Sequence, residues 1–266
     1  MEIDPLYFLQ PILSLGITGA VCFYWWRKQG FRGIVLLLSF GAYWLAILLK
    51  AVVNTVTASP VAQAVGSYGV VFGLYQGIQT VVFEVGLAYL FAAYGAKKFG
   101  LAKRDGVPYG LGLAFWENGV YIAVLASVQL LVIYAALMGN ASASSFYSQL
   151  QSNSPALFYG PAQALTLVAY SAMERTSSLM AHAAWGMLTV YAAVSGRKVF
   201  LAIALPMGLL DTLTTLQISL AIFEPLVFIV SFAFLLIALV SSRSAGDAKS
   251  GQPPSTTPGP PATSSG

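Results

Sequence analysis

The sequence predicts an all-α fold: a polytopic membrane helix bundle of about seven transmembrane helices, N-terminus outside and C-terminus inside. Three observations carry that expectation. Of the 266 residues, 58% are hydrophobic and 8% charged, against about 25% charged in soluble domains. Apolar runs long enough to span a bilayer as helices recur from Leu6 to Val240, about 20 residues sufficing for one crossing. Finally, the breaks between the runs alternate between basic and neutral.

The runs lie at 6–26, 31–53, 69–95, 107–137, 161–195, 199–219 and 222–241. Helices are the expected form, because unpaired backbone groups in hydrocarbon are too costly for strands or loops. Glu2 and Asp4 precede the first run, and Arg27, Lys28 and Arg32 follow it. A cleavable signal peptide has its basic stretch in front, so the first helix is expected to be retained. Tyr24, Trp25 and Trp26 read as an interfacial belt, and Cys22, the single cysteine, rules out an intrachain disulfide. After the neutral break at 54–68 come Lys97, Lys98, Lys103 and Arg104, then the neutral 138–160, then Arg197 and Lys198. The positive-inside rule puts the basic breaks in the cytoplasm.

Gly69, Gly73 and Gly77 repeat every four residues on the third run, a spacing that lets helix backbones approach; packing within the chain is the expectation, ahead of a dimer interface. The stretch from Gly139 to Pro155 reads as a polar external loop carrying the sequon Asn140-Ala141-Ser142. As one helix, 161–195 would be about 50 Å long and would have to tilt, project or break. Beyond Ser241 the chain is rich in Ser, Gly, Pro and Thr, so 1–241 is expected to be the transmembrane domain, with polar core helices at about 69–219, and 242–266 a disordered cytoplasmic tail. The sequence pI of about 9.1 reflects bases beside the spans, and no nucleic acid is expected. Membrane lipids and a transmembrane peptide substrate are the expected partners, in a multi-pass plasma-membrane protein whose composition suits a prokaryote.

Ionisable groups inside spans are expensive and mark function or buried pairing. Glu84, Glu117, Glu174, Arg175, His182 and Asp211 all lie in predicted spans. Counted from the basic ends of their helices, Glu84, Glu117, His182 and Asp211 fall at similar depths, about 15–21 Å. Glu174 and Arg175 lie about two turns further out, and Arg175 shares a face with His182, seven residues on. One reading is a buried network in which these groups satisfy one another. A second is a site where a buried carboxylate activates water while His182 and Arg175 stabilise developing negative charge. A third is a proton or ion path. Lys50 is expected to snorkel from the outer end of its span, and Asp4 and Glu224 to be peripheral. Trp116, Asn118 and Tyr121 flank Glu117, and of these Asn118 is taken as a supporting site residue.

Four segments resemble the YhfC family of intramembrane metalloproteases: F-E-V-G-L-A-Y-L-F from Phe83, G-V-P-Y-G-L-G-L-A-F-W-E-N from Gly106, M-E-R-T-S-S-L-M-A-H from Met173 and P-M-G-L-L-D from Pro206. Their order and spacing fit over about 80–215, and the resemblance extends distantly to CAAX-processing (CPBP) and PrsW-type membrane proteases. It implies an intramembrane protease. Glu117 or Glu174 would be the general base, His182 and Arg175 oxyanion or orienting groups, and Glu84 and Asp211 supporting groups. Val85, Ala88, Leu113 and Pro206 depart from the family pattern, where relatives carry glutamate, arginine and two histidines. His182, Glu117 and Glu174 would be the metal ligands, which leaves zinc short of its usual His and Cys donors; a metal-free glutamate mechanism needs fewer groups. The alternatives are a catalytically lapsed scaffold or chaperone that binds lipids or membrane proteins, and a small-molecule or ion transporter, although the halves show no inverted repeat.

Overall fold

The structure, a computed structural model, describes residues 4–153, 155–158 and 160–247. After a 3₁₀ turn (Pro5–Phe8) come α1 (Leu9–Gln29), α2 (Gly33–Val65), α3 (Val70–Phe99), α4 (Lys103–Leu137), α5 (Ala141–Asn153), α6 (Pro161–Ser195), α7 (Lys198–Thr215) and α8 (Leu220–Asp247). No strand occurs among the described residues. α1, α2, α3, α4, α7 and α8 are each long and apolar enough to cross a membrane, and the chain is a polytopic helical bundle. Their outward faces carry large apolar side chains such as Leu37, Val56 and Ile229, which lipid rather than water would cover.

α6 is the axle of the bundle. It is one unbroken helix, but it is too polar to qualify as a span by composition. Its neighbours explain why it tolerates that: every residue from Leu179 to Val190 is buried, so this half of α6 faces protein, not lipid. It begins with Pro161 at its first turn, where the missing N–H costs nothing, and ends at Gly196, whose φ of 70° is a left-handed cap that glycine adopts without strain.

Small residues bring α4 and α6 together. A Cβ at Gly110 would stand 2.7 Å from the backbone of His182 and Ala183, and one at Gly186 would overlap Gly110. On α3, Gly73 and Gly77 pack against Thr212 and Leu209 of α7, and Gly69 and Thr215 exchange hydrogen bonds of 3.0 and 2.9 Å. The glycine repeat thus serves packing within the chain. At the opposite end of the bundle the basic breaks meet. Arg32 binds the Phe99 and Gly100 carbonyls at 2.9 and 3.2 Å and Asp105 at 3.0 Å, while Lys103 sits over the ring of Tyr191.

Three boundaries differ from expectation. α2 continues past 53 to Val65, because Asn54 and Thr57, read as the start of a loop, bond to side chains of α3: Tyr75 and Gln79 donate to Asn54 at 3.0 and 3.1 Å. The stretch expected as a polar loop at 139–155 holds α5, whose first turn is capped by the Asn140 side chain accepting from Ala143 N at 3.2 Å. Its Leu150 packs with Tyr7, Leu130, Ile133 and Ala164. The last helix runs on to Asp247, six residues into the expected tail; the remainder of that expectation, 248–266, lies outside the described residues.

Three segments of the bundle are not α-helical inside. Thr80–Val85 in α3 and Phe115–Ile122 in α4 are π-helical, and Leu205–Thr215 in α7 is 3₁₀. Such departures recur at functional sites, and these contain Glu84, Glu117 and Asp211.

The close α4–α6 crossing gives the first prediction. Gly186→Ala forces the backbones apart and should cost about 1–3 kcal/mol, read as a lower thermal midpoint in detergent. Gly16→Ala, where a Cβ meets nothing within 4 Å, should leave it unchanged.

Candidate active site

His182 is held on α6 so that its two ring nitrogens face different partners. Nδ1 lies 2.9 Å from the Ser178 carbonyl, one turn earlier, and 3.2 Å from the Ser178 hydroxyl. A carbonyl oxygen only accepts, so Nδ1 carries a proton, and Nε2 is the nitrogen turned toward the carboxylates. Nε2 is buried and faces two carboxylates, Glu117 Oε2 at 2.9 Å and Glu84 Oε2 at 3.7 Å.

Each of those carboxylates is oriented by a donor on its other oxygen. Glu84 Oε1 accepts from Lys50 Nζ at 2.6 Å, and Glu117 Oε1 accepts from Ser178 Oγ at 3.1 Å. Outer partners of this kind fix the direction of a ligand. One atom each of Glu84, Glu117 and His182 thus falls within 4.8 Å of the others. The π-helical turns of α3 and α4 carry the two glutamates, and the regular α6 carries the histidine.

Lys50 is the group that sequence reasoning misplaced. Expected to snorkel out of the bundle, it points inward and donates to Glu84, to Thr80 Oγ1 at 2.8 Å and to Asp211 Oδ2 at 3.4 Å. Thr80 in turn donates to Asp211 at 2.5 Å. The cause of the error is the length of α2: with the helix running to Val65, Lys50 lies midway along it, too far from either end to reach water. Ser178 and Thr80 were also missed. Ser178 had a signal, its place four residues before His182, which puts both on one face.

Arg175 is buried on α6, paired with Glu174 and with Asn118 Oδ1 at 2.9 Å. Asn118 anchors this second cluster: its carbonyl accepts from Ser14 of α1 at 2.5 Å, and its amide reaches the Arg175 carbonyl at 3.4 Å. Glu174 is Arg175's counter-ion and lies outside the Glu84–Glu117–His182 group. Glu224, expected to be peripheral, is 3% exposed, although Leu220, Ala221 and Ile222 before it are exposed; Glu174 and Arg175 are the charged groups that act on it.

A cavity of about 230 Å³ joins the two clusters, lined by Lys50, Glu84, Glu117, His182 and Asp211 at one level and by Glu174 and Arg175 further along α6, with Tyr43, Tyr121 and Trp185 among its walls. Val85, Ala88 and Leu113, by contrast, are packed into the apolar core.

A family model described as YhfC intramembrane metalloprotease matches residues 12–237. The chain belongs to that family. Neither a curated protein nor a solved structure matches it. The match takes in α2 and α8 as far as 237 as well as the four segments that resemble the family, so Lys50 and Glu224 lie within it.

Removing one partner of a buried ion pair strands the other charge, at a cost of about 3–5 kcal/mol. Lys50→Met should therefore destabilise the protein strongly in chemical unfolding in mixed micelles, and Lys50→Met/Asp211→Asn should recover part of the loss by removing one stranded carboxylate.

Proposed function

We propose that this chain is an intramembrane peptide hydrolase in which Glu84, Glu117 and His182 hold a divalent metal ion. The observation that carries the reading is the convergence of three donor atoms within 4.8 Å of one another, with Nε2 of His182 2.9 Å from one carboxylate oxygen and 3.7 Å from another. A lone pair facing two anionic oxygens is repulsive unless a proton or a cation lies among them. A metal ion takes donors from several directions and would serve all three groups at once.

Charge supports the same conclusion. With His182 neutral and all three carboxylates ionised, Glu84, Glu117 and Asp211 would oppose Lys50 alone, a surplus of two negative charges in a region where unbalanced charge is expensive, and one dication would cancel it. The donor set, one imidazole and two carboxylates, suits a divalent transition metal, and each donor is held from behind by Lys50 or Ser178. A bound dication would supply Lewis acidity to a water and a carbonyl oxygen.

The chain's own groups supply the rest. Asp211 lines the cavity beside the cluster with its Oδ2 tied by Thr80, and it takes the proton of the attacking water. Glu117 is assigned as a ligand instead of the base, and Glu174 as the partner that holds Arg175 in place. The basic end of the bundle is taken as cytoplasmic by the positive-inside rule, which puts the N-terminus outside, in a prokaryotic plasma membrane.

One observation favours a second reading, a lapsed enzyme acting as a membrane scaffold: Lys50 already gives Glu84 a cation at 2.6 Å. Metal analysis separates the two. Detergent-purified wild type should carry one divalent ion per chain by mass spectrometry, His182→Ala should lose it, and Asp211→Asn should keep it while losing cleavage of a transmembrane peptide. Wild type purified without metal, and unable to take it up, would select the scaffold. Glu174→Gln should cleave within a few-fold of wild type.

A further inference from the structure

Several donors in the cavity wall have nothing to donate to. Among the described residues, the Tyr43 hydroxyl, the Trp185 indole N–H and Arg175 Nε are buried without a hydrogen-bond partner, and all three residues line the cavity. Their exposures are 2%, 4% and 7%. Proteins seldom bury a polar atom unpaired, and the exceptions ask for a reason. Here the reason is a ligand rich in hydrogen-bond acceptors.

Position separates the three. Trp185 lies one turn beyond His182 on α6, its ring centroid 4.3 Å from the imidazole. Tyr43 lies on α2 two turns before Lys50, on the same face, and its ring packs edge-on against Trp44 and Tyr121 at 5.8 and 6.4 Å. Both rings are therefore fixed before any ligand arrives. Arg175 is ten residues from Trp185, about 15 Å along the helix axis, too far to share one acceptor with it.

A helix crossing a membrane satisfies its own carbonyls, so hydrolysis within the bilayer requires a locally unwound segment whose carbonyls have lost their partners. A pair of unpaired donors beside the reaction centre matches that need. We propose that Tyr43 and Trp185 form the carbonyl-binding pocket of this site and that the ligand it selects is an unwound apolar peptide segment. The proposal rests on the hydrolase reading above.

In the reaction the water oxygen bonds to the carbonyl carbon and its proton passes to the Asp211 carboxylate. The carbonyl π pair moves onto the oxygen held by Tyr43 and Trp185. When that pair returns, the C–N bond breaks and the proton goes from Asp211 to the departing amine, giving one carboxylic acid and one amine from peptide and water. Donors that meet the oxygen where charge develops lower the barrier more than they tighten ground-state binding.

The test uses the full chain in detergent. Tyr43→Phe removes a hydroxyl that makes no hydrogen bond in the free protein, so its thermal midpoint and its metal content should equal those of wild type. The probe is acetyl-tetraleucine amide, titrated while the ¹⁵N-labelled indole signal of Trp185, assigned by its absence in Trp185→Phe, is followed by magnetic resonance. A saturable downfield shift is expected, with affinity about fivefold weaker in Tyr43→Phe, the size of one neutral hydrogen bond. For cleavage of a transmembrane peptide, kcat should fall about 100-fold in Tyr43→Phe while KM rises no more than about fivefold. An indole signal indifferent to the peptide, or equal affinity in Tyr43→Phe, overturns the pocket. Wild type without metal overturns the hydrolase reading instead, and the indole titration, which needs no turnover, still decides the pocket.

Discussion

A carboxylate can stay ionised inside a helix bundle only if a cation or a set of donors stands beside it. The 2.6 Å contact between Lys50 and Glu84 meets that condition, and much of the arrangement follows from it. Lys50 ties α2 to α3 through Glu84 and Thr80 and to α7 through Asp211. With one oxygen of Glu84 so occupied, the other turns toward His182. Ser178 does the same for Glu117, and the imidazole is locked by the carbonyl one turn behind it. The polar centre is thus built from pairs, each of which leaves one atom over, and the left-over atoms converge.

The second cluster obeys the same condition with a different result. Arg175 is matched by Glu174 and Asn118, with Glu224 within reach of their charges. It joins α6 to α4 and, through Ser14, to α1. One cluster gathers two carboxylates and an imidazole within reach of Lys50; the other centres on a single guanidinium.

Most of the fold was legible because hydropathy and span length act over twenty residues at a time, and single errors average out. The depth argument worked for Glu84, Glu117 and His182 for a similar reason: rise per residue is constant, so counting from a basic break places a side chain at a level even when its partner is unknown. It failed for Lys50 because α2 outruns its apolar stretch, with Asn54 and Thr57 bonding to α3 where a loop was expected. Comparison of motifs could not repair this, since the cation that balances Glu84 comes from a helix outside the matching segments. Tyr43 and Trp185 had no signal at all. An aromatic in a span is ordinary, and only the missing partner of its polar atom, visible in three dimensions, sets it apart.

The π-helical turns in α3 and α4 have a bearing on how such a protein can change. A single residue slipped into an α-helix rotates everything after it by about 100°, and a wide turn absorbs that slip locally. Residues before the turn keep their lipid-facing side while Glu84 and Glu117 within it are turned to the cavity. The two glutamates therefore occupy positions where insertion or deletion of one residue, usually ruinous inside a membrane span, is the natural unit of variation. Chemistry at this level of the bundle can be re-aimed by changing the count of residues, with the composition of the lipid-facing surface left as it was.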